Sequence, residues 1–125
     1  MVAAAVARGE VWLAALDPTI GSEIQKTRPC VVVSPPEMHD HLRTVAVAPM
    51  TTGSRPAPFR VPLRFEGKAG LILLDQLRTL DKQRLVRRLG AVERATLRTT
   101  LARLRAMFAE CVLARVPEPG LCRRP

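Results

Sequence analysis

Three short polar clusters adjoin or interrupt apolar runs of the chain: Glu23, Lys26, Thr27 and Arg28; Thr51 and Thr52; and Asp75, Gln76, Arg78 and Thr79. Each stands at the end of, or inside, a run that reads as buried strand. If neighbouring strands bring these ends together, guanidinium, ammonium, hydroxyl and amide donors converge on one patch, a set suited to a phosphate group. Taken singly, each residue has a plainer reading: Arg28 as a surface arginine, the threonines as strand-end caps, Asp75 as the ion-pair partner of Arg78. Their common placement beside apolar runs favours the joint reading.

The overall charge agrees with an anionic ligand. Among 125 residues, 20 Lys and Arg stand against 11 Asp and Glu, a formal net charge of +9. The expected partner is a polyanion. A hydrophobic content of 47% in a chain of this length predicts one domain over 1–125, with 1–7 and 117–125 as flexible tails. No stretch approaches the roughly 18 apolar residues of a membrane-spanning helix. The start MVAAAVARG has no cationic beginning, so a cytoplasmic protein without membrane attachment is expected.

Several chemistries lack their motifs. The sequence has no Gly-rich loop followed by Lys-Ser/Thr, no Gly-x-Ser-x-Gly, no paired CxxC and no two-His helix motif. Cys30, Cys111 and Cys122 are an odd count without metal-ligand spacing, which suits reduced thiols, the first two as core residues. His39-x-His41 reads as a solvated turn rather than a metal pair. Neither a metal nor a cofactor is expected.

The elements that must position the polar clusters are mostly strands. Val11 to Leu16 is a first strand, and Arg28 to Ser34, with Val31, Val32 and Val33, is a second, apolar enough for burial on both faces. RTVAVAPMTT is a third and ends in hydroxyls. FRVPLRF alternates, with Phe59, Val61, Leu63 and Phe65 on one face, and Pro62 makes it an edge strand. EGKAG is a turn, and Leu71 to Leu77 is a buried strand interrupted by Asp75 and Gln76. From Glu93 to about Leu113 the period becomes helical, with Leu97, Leu101, Leu104, Phe108 and Cys111 on one stripe. Several short strands and one terminal helix predict an α+β fold, a small curved antiparallel sheet or barrel.

The stretches RGEVWLAALDP, GSEIQKTRPCVVVSP, VAPMTT and LLDQLRTLDKQRL resemble, in order and spacing, the MazF/PemK family of toxin–antitoxin endoribonucleases. The resemblance runs from about Arg8 to the terminal helix near Glu110. It implies an SH3-like barrel with a C-terminal helix, a homodimer, and metal-independent cleavage of single-stranded RNA. It also implies a cognate antitoxin, for which a protein with an acidic, disordered segment is physically apt. By the same resemblance Arg28, at the start of the RP strand, and Thr51, after VAPM, are the catalytic residues. Glu23 and Asp75-Gln76-x-Arg78 match positions that shape the site or contact RNA. In the PemK branch an arginine stands two before the Asp-Gln pair and a histidine stands in the loop; here those positions are Leu73 and Ser22, which favours Arg28 and Thr51 over a mechanism based on Asp75.

In that chemistry a ribose 2′-hydroxyl attacks the adjacent phosphate, and a guanidinium fork with a hydroxyl donor stabilises the charge on the non-bridging oxygens. A guanidinium is a poor base, and Glu23 is the first candidate for that role. Ser22, Glu23 and Gln76 are loop groups able to read base edges, and Lys26, Thr27, Thr52, Asp75 and Arg78 complete the expected RNA surface. With one Trp, three Phe and no Tyr, stacking platforms are scarce, and Trp12 is read as core. Two other classes remain open: a CcdB-like toxin acting by protein contacts, and a basic nucleic-acid-binding module.

Overall fold

A computed structural model of the chain describes residues 5–110. Seven strands run as β1 (Glu10–Ala15), β2 (Thr27–Val32), β3 (Thr44–Thr51), β4 (Arg60–Phe65), β5 (Lys68–Leu73), β6 (Arg78–Asp81) and β7 (Leu85–Ala91). A single-turn helix α1 (Pro36–His39) precedes β3, and α2 (Arg94–Met107) follows β7. All pairings are antiparallel, in the order β4-β5-β3-β2-β1-β7. One edge of β3 belongs to β2, and the other is divided between β6, along Thr44 to Val47, and β5, at Met50 and Thr51. The sheet therefore bends at β3. Its ends approach each other: a Cβ on Gly90 of β7 would lie 3.4 Å from the Phe65 ring of β4. The result is a curled half-barrel with a C-terminal helix, the α+β fold expected.

The bend is enforced by burial on both faces of β2 and β3. Cys30, Val32, Val45 and Val47 join one apolar cluster with Leu16 and Leu80, against which Trp12 and Ile24 pack. Val31, Val33, Ala48 and Met50 join a second with Val61, Ile72 and Leu74, covered by Leu104 and Met107 of α2. A flat sheet would expose one of these clusters, and curling covers both. Burial also pushes the Cys30 thiol up to about 12, against the opposing charges of Arg78 and Arg28.

Several sequence expectations are corrected. The strand expected at Leu71 to Leu77 is β5, ending at Leu73, followed by a 3₁₀ turn at Leu74–Gln76. Asp75 and Gln76 interrupt the apolar run because the chain turns there. β6 and β7 went unforeseen: β6 has only 4 residues, and in β7 Val86, Arg87 and Arg88 face solvent in succession, which masks the alternation. The long helix ends at Met107; Phe108 is 74% exposed rather than on the core stripe. Val6, within the segment expected to be a tail, is buried. Cys111, Cys122 and the 117–125 tail lie outside the described residues.

His39 is not in a solvated turn. It is 1% exposed, and its Nε2 lies 2.9 Å from the Val6 carbonyl oxygen. A carbonyl only accepts, so Nε2 donates; Nδ1 lies 2.8 Å from the Ser34 hydroxyl, whose oxygen accepts from Ala46 N–H at 3.2 Å. Lys82 Nζ donates to the His39 carbonyl. The imidazole thus ties the N-terminal segment, the end of β2 and β3 together. We expect His39→Ala to cost about 2–4 kcal/mol in urea unfolding, through orphaned buried partners and a cavity, with His39→Gln recovering part. A loss below about 0.5 kcal/mol would show that the clasp carries no stability.

Candidate active site

The β2–β3 register pairs Cys30 with Pro49, Val31 with Ala48 and Val32 with Val47. Continued outward, it sets Arg28 opposite Thr51, where the double burial ends and polar side chains are tolerated. Both residues line a groove of about 230 Å³. Met50, Leu63 and Phe65 supply its apolar lining, and Arg28, Thr51, Thr52, Glu66 and Lys68 its polar groups.

Pro29 restricts the preceding Arg28 to extended backbone. The Arg28 Nε donates to the Gln25 carbonyl at 2.8 Å. That bond aims the guanidinium and leaves its Nη groups without a hydrogen-bond partner among the described residues. The Thr51 Oγ1 accepts from Gly53 N–H at 3.2 Å, so its own hydrogen remains available. Glu66 and Lys68 were not singled out from the sequence. They enter through a two-residue left-handed turn, Glu66 at φ 52° and Gly67 at φ 79°, which sets Phe65 opposite Lys68. The Glu-Gly pair after the alternating FRVPLRF run was the available signal.

The remaining expected residues gather elsewhere. Ser22, Glu23, Asp75, Gln76 and Arg78 line a neighbouring recess of about 520 Å³. Glu23, the first candidate base, is there and not in the Arg28 groove, its Oε1 accepting from Ile20 N–H at 2.8 Å. Lys26 and Thr27 line neither. Lys26, at φ 74°, donates its N–H to Asp17 Oδ1, and Thr27 pairs with Ala15 as β2 begins.

Asp75 does not pair with Arg78. Its carboxylate takes a two-point contact from Arg60, Nε to Oδ1 at 3.2 Å and Nη2 to Oδ2 at 3.0 Å. The hydrogen bond to Asp75 holds the Arg60 guanidinium above its ordinary pKa. Arg78 instead donates to the Leu16 carbonyl at 3.3 Å. No local pattern marks Arg60 as the partner, because the contact depends on β4–β5 pairing, which sets Arg60 opposite Leu73 just before the turn.

A curled half-barrel bearing a groove in which guanidinium Nη groups and a hydroxyl hydrogen have no partner among the described residues defines a small module equipped to hold an anion. The family model for the PemK-like, MazF-like toxin of type II toxin-antitoxin systems matches residues 7–108, and the chain belongs to that family. It is 41% identical over 103 residues to the endoribonuclease PemK of Escherichia coli, covering 78% of this chain and 77% of the relative. The crystal structure of MazF from Deinococcus radiodurans superposes with a TM-score of 0.71 at 26% identity, covering 79% of this chain and 92% of that one. An endoribonuclease in complex with its cognate antitoxin from a mycobacterial species matches with a TM-score of 0.70 at 25% identity, covering 92% and 100%.

Gly70 of β5 admits Thr51 to its position, because a Cβ there would stand 2.9 Å from the Thr51 carbonyl oxygen. The obstacle is backbone, so Gly70→Ala must displace β3 or β5. The expected cost is about 1–3 kcal/mol in chemical denaturation, with a shift of the Thr51 main chain in a crystal structure of the variant. An unchanged stability and an unmoved Thr51 would contradict this account of the glycine.

Proposed function

We propose that this chain is the toxin of a type II toxin–antitoxin pair and an endoribonuclease that cuts single-stranded RNA at Arg28 and Thr51. The observation that carries the reading is the convergence of these two side chains, with unused donors, on one groove. Membership of the family and the names of its relatives support it.

In this mechanism the ribose 2′-hydroxyl attacks the adjacent phosphorus, loses its proton to a base, and the bond to the 5′-oxygen breaks, that oxygen taking a proton from water, to give a 2′,3′-cyclic phosphate and a 5′-hydroxyl. Negative charge accumulates on the non-bridging oxygens. The Arg28 Nη groups and the Thr51 hydroxyl donate to them, and Lys68 adds a positive charge at the rim. The nucleophile belongs to the substrate, so the chemistry does not call for a metal-bound water. Glu66, the carboxylate of the groove, replaces Glu23 as the base assigned to the 2′-hydroxyl proton. The recess with Ser22 and Glu23 is assigned to the flanking bases.

The restraint on such an activity is a cognate antitoxin, supported by the mycobacterial complex. An acidic segment that orders on binding suits a chain of net charge +9. A homodimer and a cytoplasmic location complete the reading.

Arg28→Ala and Thr51→Ala should each lower cleavage of single-stranded RNA by about 10²–10³-fold, with thermal stability nearly unchanged. Arg28→Lys should fail as well, since an ammonium cannot reproduce the fork. Cleavage should persist in EDTA and leave 5′-hydroxyl ends. Undiminished cleavage by the Arg28→Ala protein would falsify the assignment.

Antitoxin affinity, measured by calorimetry on the product of the adjacent small reading frame, should weaken with ionic strength without vanishing, because apolar contacts are not screened. A product that binds without blocking cleavage would remove the restraint from this account.

A further inference from the structure

The recess residues Asp75 and Gln76 spend their polar atoms inside the protein. Gln76 Oε1 accepts from Ile24 N–H at 3.2 Å, and its Nε2 donates to the Ser22 carbonyl at 3.4 Å. Both contacts are to the main chain of the loop between β1 and β2. The same loop carries the Gln25 carbonyl that aims Arg28. Asp75 holds Arg60, whose Nη1 donates to the Arg55 carbonyl at 3.1 Å, closing the loop between β3 and β4 that begins beside Thr52. Arg103 of α2 grips the base of that loop at the carbonyls of Pro58 and Arg60, at 3.3 and 2.9 Å. Leu74, 1% exposed, anchors the turn in the core, and its N–H donates to the Phe59 carbonyl at 3.1 Å.

We infer that the Leu74–Gln76 turn is a positioning element: Gln76 and the Asp75–Arg60 pair fix the two loops beside the groove, so selection among RNA sequences rests on residues that need not touch RNA. The inference depends on the ribonuclease reading for its substrate, but the clamp itself is measurable without any RNA. A loop held at both main-chain polarities presents Ser22 and Glu23 at a fixed height over the recess and presents Gln25 at a fixed distance from Arg28. Releasing it lets the loop accept other bases and loosens the Gln25 carbonyl that aims Arg28.

The test uses the full chain and its Gln76→Ala, Gln76→Glu and Arg60→Ala variants on a pool of single-stranded RNA of randomised sequence, with amide exchange read in parallel by NMR. Gln76→Glu can still accept from Ile24 N–H but cannot donate to the Ser22 carbonyl, so it should fall between the wild type and Gln76→Ala. The expected result is a drop of about tenfold or more in the ratio of cleavage at preferred over other sites. Protection of the Ile24 amide should be lost in Gln76→Ala, and residues 52–59 should exchange faster in Arg60→Ala. Wild-type site preference with wild-type exchange in all three variants would overturn the inference. So would a uniform fall in cleavage at every site with unchanged exchange, which would make Gln76 a direct RNA contact. If the wild-type protein cuts no RNA, the ribonuclease reading fails, and the exchange data alone decide whether the turn holds the loops. A Gln76→Ala chain that does not fold transfers the decision to Gln76→Glu.

Discussion

Burial of β2 and β3 on both faces is the constraint from which the rest of the molecule follows. A strand with apolar clusters on either side cannot carry a charge along its length, since an uncompensated buried ion is prohibitively costly. Charge is admitted only where the covering layers stop. Arg28 and Thr51 stand at adjacent ends of this pair, where β2 begins and β3 finishes. The apolar run that makes the core thus also determines where these polar groups can be, and the antiparallel register makes them neighbours.

The second requirement is that main-chain polar groups bent out of the sheet find partners. The loops around the groove meet it with long side chains rather than further strands. Arg84 donates to the carbonyls of Ala15 and Asp17, Arg78 to that of Leu16, Arg103 to those of Pro58 and Arg60. Three of the 20 cations, Arg78, Arg84 and Arg103, thus have a structural role. Net charge overstates the number of cations free to meet a polyanion, and Arg28 matters because its terminal nitrogens have no partner among the described residues.

What was legible in the sequence was what composition encodes locally. The valine run of β2, the alternation in β4 with its edge-marking Pro62, and the helical stripe of α2 are properties of consecutive residues, and each appears in the fold. Arg28, Thr51 and Thr52 were found through strand ends and reappear in one groove. What stayed hidden depends on contacts between distant parts of the chain. His39 is buried because Val6 and Ser34 receive its ring, Arg60 meets Asp75 because β4 pairs with β5, and Glu66 reaches the groove through the twist of a hairpin. The exposed arginines of β7 concealed a strand whose place is set by its partner β1.

The grip of Gln76 on the loop between β1 and β2 falls on backbone atoms alone, the amide of Ile24 and the carbonyl of Ser22. Every amino acid except proline carries both groups. Side chains in this stretch can therefore be exchanged by mutation while the two bonds that secure it stand unchanged. A lineage built on this scaffold is free to vary what the loop displays without relearning how to hold it, and inherited drift in one need not erode the other.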